Sequence, residues 1–114
     1  MAERYSLCTI SSLDDPDSRG FVIDAMDGAV SLFIVRRGES VMAYRNSCPH
    51  TGINLEWQPH QFLDPSGSYI QCATHGALFR IEDGYCLRGP CAGDALQPIE
   101  VQIEEGQLVA ILQQ

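Results

Sequence analysis

Two short pairs of metal-ligating residues constrain the fold of this chain more than any other feature of its sequence. Cys48 and His50 form a C-x-H pair, and Cys72 and His75 form a C-x-x-H pair after 21 intervening residues. Two thiolates and two imidazoles are a sufficient ligand set for one metal centre, provided that the fold brings both loops to a common point. The sequence therefore predicts a domain built around two converging ligand loops.

The mixed composition of each pair favours an iron–sulfur centre over a zinc site. Zinc fingers commonly take two cysteines from one half of the motif and two histidines from the other half. In a Rieske [2Fe–2S] centre, one iron has two thiolate ligands and the other iron has two imidazole ligands. A pair with one ligand of each type suits a cluster spanned by two loops that each touch both irons. A structural zinc-binding interaction domain remains the alternative.

The residues that flank the two pairs resemble the loops of Rieske ferredoxins and Rieske domains. The similar segments are CPHTG at 48–52, CATHGALF at 72–79 and the dipeptide Gly89-Pro90. The resemblance extends from about Val41 to the C-terminus, which is most of the chain.

This resemblance implies one Rieske-type [2Fe–2S] cluster and a role for each motif residue. Cys48 and Cys72 would bind the inner iron, whereas His50 and His75 would bind the outer, solvent-facing iron. The surrounding loops would contribute Gly52, Gly76, Gly89 and Pro90. The last two residues would form the proline loop that covers the cluster.

Short apolar runs separated by turn residues predict an all-β domain. The turns are Asp27-Gly28, Asp83-Gly84 and Glu105-Gly106, which are typical connections between antiparallel strands. The expected strands cover residues 21–25, 29–35, 41–45, 69–71, 77–81, 99–103 and 107–112. We expect a single domain, 1–114, folded as a small antiparallel β-sandwich or barrel of the Rieske type. Its cluster-binding subdomain of two ligand loops covers about 45–91, and residues 54–57 are expected to form one short helical turn.

Composition and charge exclude several functions. The net charge of −8, from 15 acidic and 7 basic residues, argues against binding to the phosphate backbone of nucleic acids. It is compatible with steering toward a basic patch on a redox partner, or with solubility alone. The sequence shows no signal peptide and no apolar run of the about 20 residues that a membrane helix needs. We therefore expect a cytoplasmic protein with no membrane contact.

The histidine count separates this chain from Rieske oxygenases. Those enzymes also carry a mononuclear iron held by two histidines and a carboxylate. The chain has three histidines, and the cluster takes two of them, so His60 alone cannot supply the second site. His60 is expected to be a solvated loop residue, and Trp57 and Phe62 are expected to close the core beside the cluster.

The resemblance also has implications for the reduction potential. High-potential Rieske proteins carry a cysteine bridge between the ligand loops, and a serine and a tyrosine whose hydroxyls donate to sulfur. The corresponding positions here hold Ile53 and Thr74 for the cysteines, Ala77 for the serine and Phe79 for the tyrosine. Fewer donors leave the reduced cluster less stabilised, so we expect a potential near the bottom of the Rieske range, about −150 mV. The backbone N–H groups of Gly52 and Gly76 are expected to donate to the sulfurs instead.

The function implied by the resemblance is that of a soluble Rieske-type ferredoxin. Such a protein is not an enzyme alone but carries one electron between a reductase and a terminal oxygenase or a similar enzyme. Two alternatives of the same chemistry are the small Rieske-like subunit of a nitrite reductase and a cluster-based redox sensor.

Three cysteines lie outside the ligand motifs. Cys8 is expected to be a small buried side chain. Cys86 and Cys91 flank the proposed proline loop, and their spacing is compatible with a disulfide or with two buried thiols. A reducing compartment favours the thiols.

Overall fold

The fold comes from a computed structural model that describes residues 2–25, 28–49, 52, 54–56, 58–73 and 76–113. Within these residues the chain forms nine strands and one 3-10 turn, Ile10–Ser12. The strands are β1 (Ala2–Thr9), β2 (Asp17–Ala25), β3 (Gly28–Arg37), β4 (Ser40–Arg45), β5 (Tyr69–Gln71), β6 (Leu78–Arg80), β7 (Cys86–Arg88), β8 (Pro98–Glu104) and β9 (Gln107–Gln113).

Six of the strands form one antiparallel, nearly closed, barrel-like sheet in the order β1-β9-β8-β4-β3-β2. The hairpin of β2 and β3 pairs Asp17 with Arg36 at one end and Ala25 with Gly28 at the other. The remaining three strands form a small antiparallel sheet in the order β5-β6-β7. The all-β barrel expected from the sequence is therefore confirmed.

The central strand β3 divides the interior into two cores. Its residues from Leu32 to Val35 are all buried, and successive side chains of a strand point to opposite faces. Leu32 and Ile34 belong to a core inside the large sheet. Phe33 and Val35 face the other way, into a second core that also contains the predicted ligands Cys48 and Cys72. We call these the sheet core and the cluster core.

The ring of Phe33 connects the large sheet to the loop side of the cluster core. It stacks on Phe62 with 4.3 Å between ring centroids and 7° between planes. It also lies 5.9 Å from the ring of Tyr44. Tyr44 is fixed in turn by a hydrogen bond of 2.6 Å from its hydroxyl to the carbonyl of Ile81. The two sheets thus share one continuous packed layer.

The structure corrects two expectations about secondary structure. Asn54, Leu55 and Glu56 are not helical, so the short turn expected there is wrong for these residues, and Trp57 lies outside the described residues. Two strands without a clear sequence pattern, β1 and β7, complete the sheets. Across the described segments, none of the helical structure is long and apolar enough to span a bilayer.

Candidate metal centre

The first ligand loop leaves β4 and is closed by a glycine. Cys48 is buried, with 2% of its surface exposed. The N–H of Gly52 donates to the carbonyl of Cys48 at 2.8 Å. Gly52 has a φ of +77°, which a glycine adopts without steric cost. The sequence Cys-x-x-x-Gly therefore makes one tight turn that begins at the ligand.

The second ligand loop repeats this turn. The N–H of Gly76 donates to the carbonyl of Cys72 at 2.9 Å, and the φ of Gly76 is +64°. Cys72 is fully buried, and its own N–H donates to the carbonyl of Ala77 at 2.9 Å. Each of these two N–H groups closes its own turn in this structure, and their donation to the cluster sulfurs stays a prediction.

A buried asparagine holds the two loops together. Asn46 is 7% exposed and lies two residues before the first cysteine. Its Oδ1 accepts the N–H of Leu55 at 2.8 Å, and its Nδ2 donates to Ser31 at 3.3 Å and to Glu56 at 2.5 Å. The carbonyl of Leu55 accepts the N–H of Ala73 at 2.9 Å. Asn46 therefore fixes the first loop and, through Leu55, the second.

A third loop, residues 86–94, packs against both ligand loops. A Cβ placed on Gly89 would lie 2.8 Å from the Cβ of Ala77 and 2.9 Å from its Cα. Gly89, with a φ of +109°, is thus in close contact with the second ligand loop. On the other side, Cys91 lies beside Cys48 of the first ligand loop, in the same buried core.

Cys86 and Cys91 form a buried pair within this third loop. Their Sγ atoms are 2.8 Å apart, and each residue is 1% exposed. The structure has no S–S bond between them, and the pair of thiols favoured by the sequence stays a prediction. Burial, and then the hydrogen bond with Cys86, raises the pKa of the Cys91 thiol to about 12. Cys91 therefore lies beside both Cys86 and Cys48, and all three side chains belong to the cluster core.

The predicted ligands divide between described and undescribed positions. Cys48 and Cys72 lie in the same core, as a shared metal centre requires. His50 and His75, together with Ile53 and Thr74, lie outside the described residues. Ala77 and Phe79 are buried and offer no hydroxyl. Gly89 and Pro90 are exposed at the surface of the third loop.

The other side chains singled out in the sequence have different environments. Phe62 is 1% exposed and closes the cluster core as predicted, whereas Trp57 lies outside the described residues. His60 is exposed, as predicted, but its Nδ1 also accepts the N–H of Gly20 at 3.1 Å. Cys8 is half-buried against the sheet core.

Sequence reasoning missed two residues that organise the site. Asn46 gave no signal, because an asparagine before a loop is common and its partners are far away in sequence. Gly89 was named only as part of the proline loop, and its contact with Ala77 could be anticipated only from the small size of both residues. The proximity of Cys91 to Cys48 likewise required the fold.

Several solved structures share this fold. The ferredoxin of carbazole 1,9a-dioxygenase from Nocardioides aromaticivorans IC177 has a TM-score of 0.74 and 20% identity, over 94% of this chain and 95% of that chain. A chain from a complex of reduced oxygenase and oxidized ferredoxin in carbazole 1,9a-dioxygenase has a TM-score of 0.73 and 24% identity, over 94% and 91%. A putative NADH-dependent nitrite reductase small subunit from Mycobacterium tuberculosis has a TM-score of 0.67 and 20% identity, over 100% and 98%.

These identities establish the fold alone, and a search of curated proteins found no significant match. The family assignment comes from the sequence itself. The family model for the Rieske [2Fe-2S] domain matches residues 3–111, nearly the whole chain and all three loops described above. The chain therefore belongs to the Rieske [2Fe-2S] domain family, which implies a [2Fe–2S] cluster.

Proposed function

We propose that this protein is a Rieske-type ferredoxin, a one-electron carrier between a reductase and a terminal oxygenase or similar enzyme. The observation that carries the proposal is the pair of matched glycine-closed turns that bring the buried thiols of Cys48 and Cys72 into one core. The family match over residues 3–111 supports the cofactor. The near-complete mutual coverage with a ferredoxin chain supports a carrier of similar size.

The ligand roles remain part of this proposal. Cys48 and Cys72 would bind the inner iron, and His50 and His75 would bind the outer iron. When bound, a [2Fe–2S] cluster supplies one-electron redox chemistry. The fit of the chain to this group rests on the donor set: two buried thiols in an apolar core, each at the start of a turn of the same geometry.

The chain's own residues would shield the inner side of the site. Ala77 and Phe79 present buried apolar groups, and Gly89 brings the backbone of the third loop onto Ala77. Water is thereby kept from the thiol side of the centre. The side chain of Leu87 on β7 is 44% exposed and extends this loop toward solvent, where it is available to a partner.

The first experiment is electron paramagnetic resonance with visible spectroscopy on anaerobically purified protein, before and after dithionite. We expect a brown protein that is silent when oxidised and gives a rhombic S = 1/2 signal when reduced. Cys48→Ser should lose the signal, whereas Cys8→Ser, at a residue packed against the sheet core, should keep it. A colourless protein with one stoichiometric zinc would overturn the proposal in favour of a structural site.

A low potential is part of the same proposal. The described donor positions Ala77 and Phe79 carry no hydroxyl, and the amides of Gly52 and Gly76 are directed to carbonyl oxygens. With few donors to sulfur, we expect a midpoint near the low end of the Rieske range, about −150 mV. Protein-film voltammetry measures it, and a midpoint well above zero would contradict this expectation.

A second candidate is the small Rieske-like subunit of a nitrite reductase. It is favoured by the match to a putative subunit of that kind over 100% of this chain and 98% of the other. A free carrier and an enzyme subunit differ in the lifetime of the complex with their partner. A carrier should bind its partners transiently, whereas a subunit should co-purify stoichiometrically with one large protein after expression in its native cell.

Domain boundaries and location complete the proposal. We propose one domain, 1–114, with a cluster-binding part at about 45–91. We also propose a cytoplasmic location.

A further inference from the structure

The third loop contains two thiols that have no role in the proposed electron transfer. Cys86 and Cys91 lie on opposite sides of a narrow hairpin. The N–H of Cys86 donates to the carbonyl of Asp94 at 2.8 Å, and the N–H of Ala92 donates to the carbonyl of Gly89 at 3.0 Å. These bonds fix the hairpin so that the two Sγ atoms face each other at 2.8 Å.

We propose that Cys86 and Cys91 are a reversible dithiol–disulfide couple, oxidised by a low-molecular-weight disulfide such as oxidised glutathione, that modulates the neighbouring metal centre through Cys48. The first half of this proposal concerns the two thiols alone. The second half rests on the proposed function, because it requires that Cys48 bind the cluster.

The oxidation balances as thiol–disulfide exchange. One protein thiolate attacks the reagent disulfide, forming a mixed disulfide and releasing one reagent thiol. The second protein thiolate then attacks the protein sulfur of the mixed disulfide, forming the Cys86–Cys91 bond and releasing the second reagent thiol. Overall, two protein S–H bonds and one reagent S–S bond are replaced by one protein S–S bond and two reagent S–H bonds.

Access to the buried pair comes through the loop that covers it. Leu87, Arg88, Gly89 and Pro90, between the two cysteines, are all exposed. The hairpin is only a few residues long, and its first strand, β7, has three residues. Opening such a short surface element requires little loss of packing, so it should occur without global unfolding. The reagent therefore reaches the thiols in a locally open state.

The connection to the metal centre is the Cys91 thiol. It is in hydrogen-bond contact with Cys86 and lies beside Cys48, and all three side chains belong to the cluster core. Formation of the disulfide removes the S–H group of Cys91 and with it a polar hydrogen beside the ligand sulfur. Donors to ligand sulfur stabilise the reduced state of such a centre. Oxidation of the pair should therefore lower the midpoint potential.

The couple is tested by equilibrating the holoprotein in glutathione buffers of increasing oxidation. The protein is then acid-quenched, freed of metal, alkylated under denaturing conditions and weighed by intact mass spectrometry. We expect alkylated thiols to fall from five to three. Because trypsin cuts after Arg80 and Arg88, the disulfide should covalently link residues 81–88 to 89–114. This peptide assignment needs no variant.

Matched variants identify the thiols involved. Cys8→Ser should still lose two thiols, whereas Cys86→Ser and Cys91→Ser should not form the intramolecular bond. Five alkylated thiols at every buffer ratio would overturn the couple. A disulfide that involves Cys8, Cys48 or Cys72 would overturn it as well.

The connection to Cys48 is tested by the midpoint potential of the same samples. The metal centre of wild type should have a lower midpoint potential when Cys86 and Cys91 form the disulfide than when both are thiols. Cys86→Ala, which retains the Cys91 thiol, should keep the higher midpoint and not respond to the buffer. Cys91→Ala should have the lower midpoint potential. Cys91→Ser should have the higher midpoint potential again, because its hydroxyl replaces the thiol. A midpoint independent of the thiol state would overturn the connection.

The two proposals fail separately. Loss of two thiols at Cys86 and Cys91 in a protein without a Rieske signal would reject the proposed function and leave the couple. A Rieske signal in a protein that keeps five thiols would reject the couple and leave the proposed function.

Discussion

The barrel-like sheet and the cluster-binding part of this protein are stabilised in different ways. In the sheet, β2 pairs with β3 along its whole length from Asp17 to Ala25, and the sheet core consists of aliphatic side chains such as Leu32 and Leu108. In the cluster-binding part, each strand has three residues. Its core contains four cysteines. These contribute less apolar surface than four aliphatic side chains would.

The difference shows that the sheet and the cluster-binding part are ordered by different kinds of interaction. Long ladders and an aliphatic core can order the sheet without assistance. The loops of the cluster-binding part are ordered by single contacts: one asparagine side chain, two glycine-closed turns and one glycine–alanine contact. A part of this kind should depend on its bound cofactor, because the free energy of metal binding becomes free energy of folding.

Removal of the cluster should therefore give the largest regional effect. We expect hydrogen exchange to accelerate in residues 69–88 of the cofactor-free protein, while residues 98–113 of β8 and β9 remain protected. The measurement is hydrogen–deuterium exchange with peptide resolution, on holoprotein and on protein stripped with a chelator under reducing conditions. Equal acceleration in both regions would show that the sheet is not self-sufficient.

The same difference explains how much of the fold the sequence predicted. Strands β3, β8 and β9 were expected because an apolar β-branched run, clean alternation at 99–103 and Asp-Gly or Glu-Gly turns are local signals. Strand β1 was missed because its pairing with β9 contains a register shift between Ser6 and Cys8, which breaks the alternation. Strand β7 was missed because three residues are too few to carry a pattern.

The site was predictable to the extent that it consists of ligands. The two Cys/His motifs identified Cys48 and Cys72 as partners, and the structure brings both into one core. What orders these ligands was not predictable, because it depends on contacts between distant segments. Asn46 with Ser31, Gly89 with Ala77 and Cys91 with Cys48 are pairs that only tertiary structure creates.

The glycine–alanine contact should have the next largest effect. Gly89→Ala would place a Cβ 2.8 Å from the Cβ of Ala77, whereas Gly93→Ala meets no atom within 4 Å. The two glycines have similar φ values, +109° and +98°, so both variants carry the backbone strain of about 1–3 kcal/mol. Only Gly89→Ala adds overpacking, about 1–3 kcal/mol more.

Chemical denaturation of the two variants measures this difference in the free energy of unfolding. The reduced signal should also broaden in Gly89→Ala, because the covering loop moves away from the second ligand loop. Equal destabilisation by the two substitutions would show that the contact with Ala77 does not order the site.

The asparagine that joins the ligand loops should have an intermediate effect. Asn46→Ala leaves the buried N–H of Leu55 without its acceptor, which should cost about 1–3 kcal/mol. The matched control is Asn54→Ala, because Asn54 is exposed and makes one side-chain contact of 3.3 Å with Glu56. Asn46→Ala should also release the cluster faster on dilution into chelator. Equal release rates for the two variants would contradict the role of Asn46.

The hydrogen bond between the two parts should have the smallest effect at neutral pH. Tyr44→Phe removes the bond of 2.6 Å from β4 to the carbonyl of Ile81, worth about 1 kcal/mol. Burial, and then the charges of Asp83 and Glu82, raises the pKa of Tyr44 from 10.0 to about 12. The folded state therefore favours the neutral phenol, and the stability that this preference supplies is complete below pH 10.

Above pH 10 the unfolded chain gains stability by ionising Tyr44, and the folded chain does not until pH 12. The difference in melting temperature between wild type and Tyr44→Phe should accordingly shrink as the pH rises from 10 toward 12. Tyr69→Phe, at a position 39% exposed, is the control and should show little difference from wild type at neutral pH. A difference for Tyr44→Phe that stays constant through this range would mean that burial and the charges of Asp83 and Glu82 do not keep the phenol neutral.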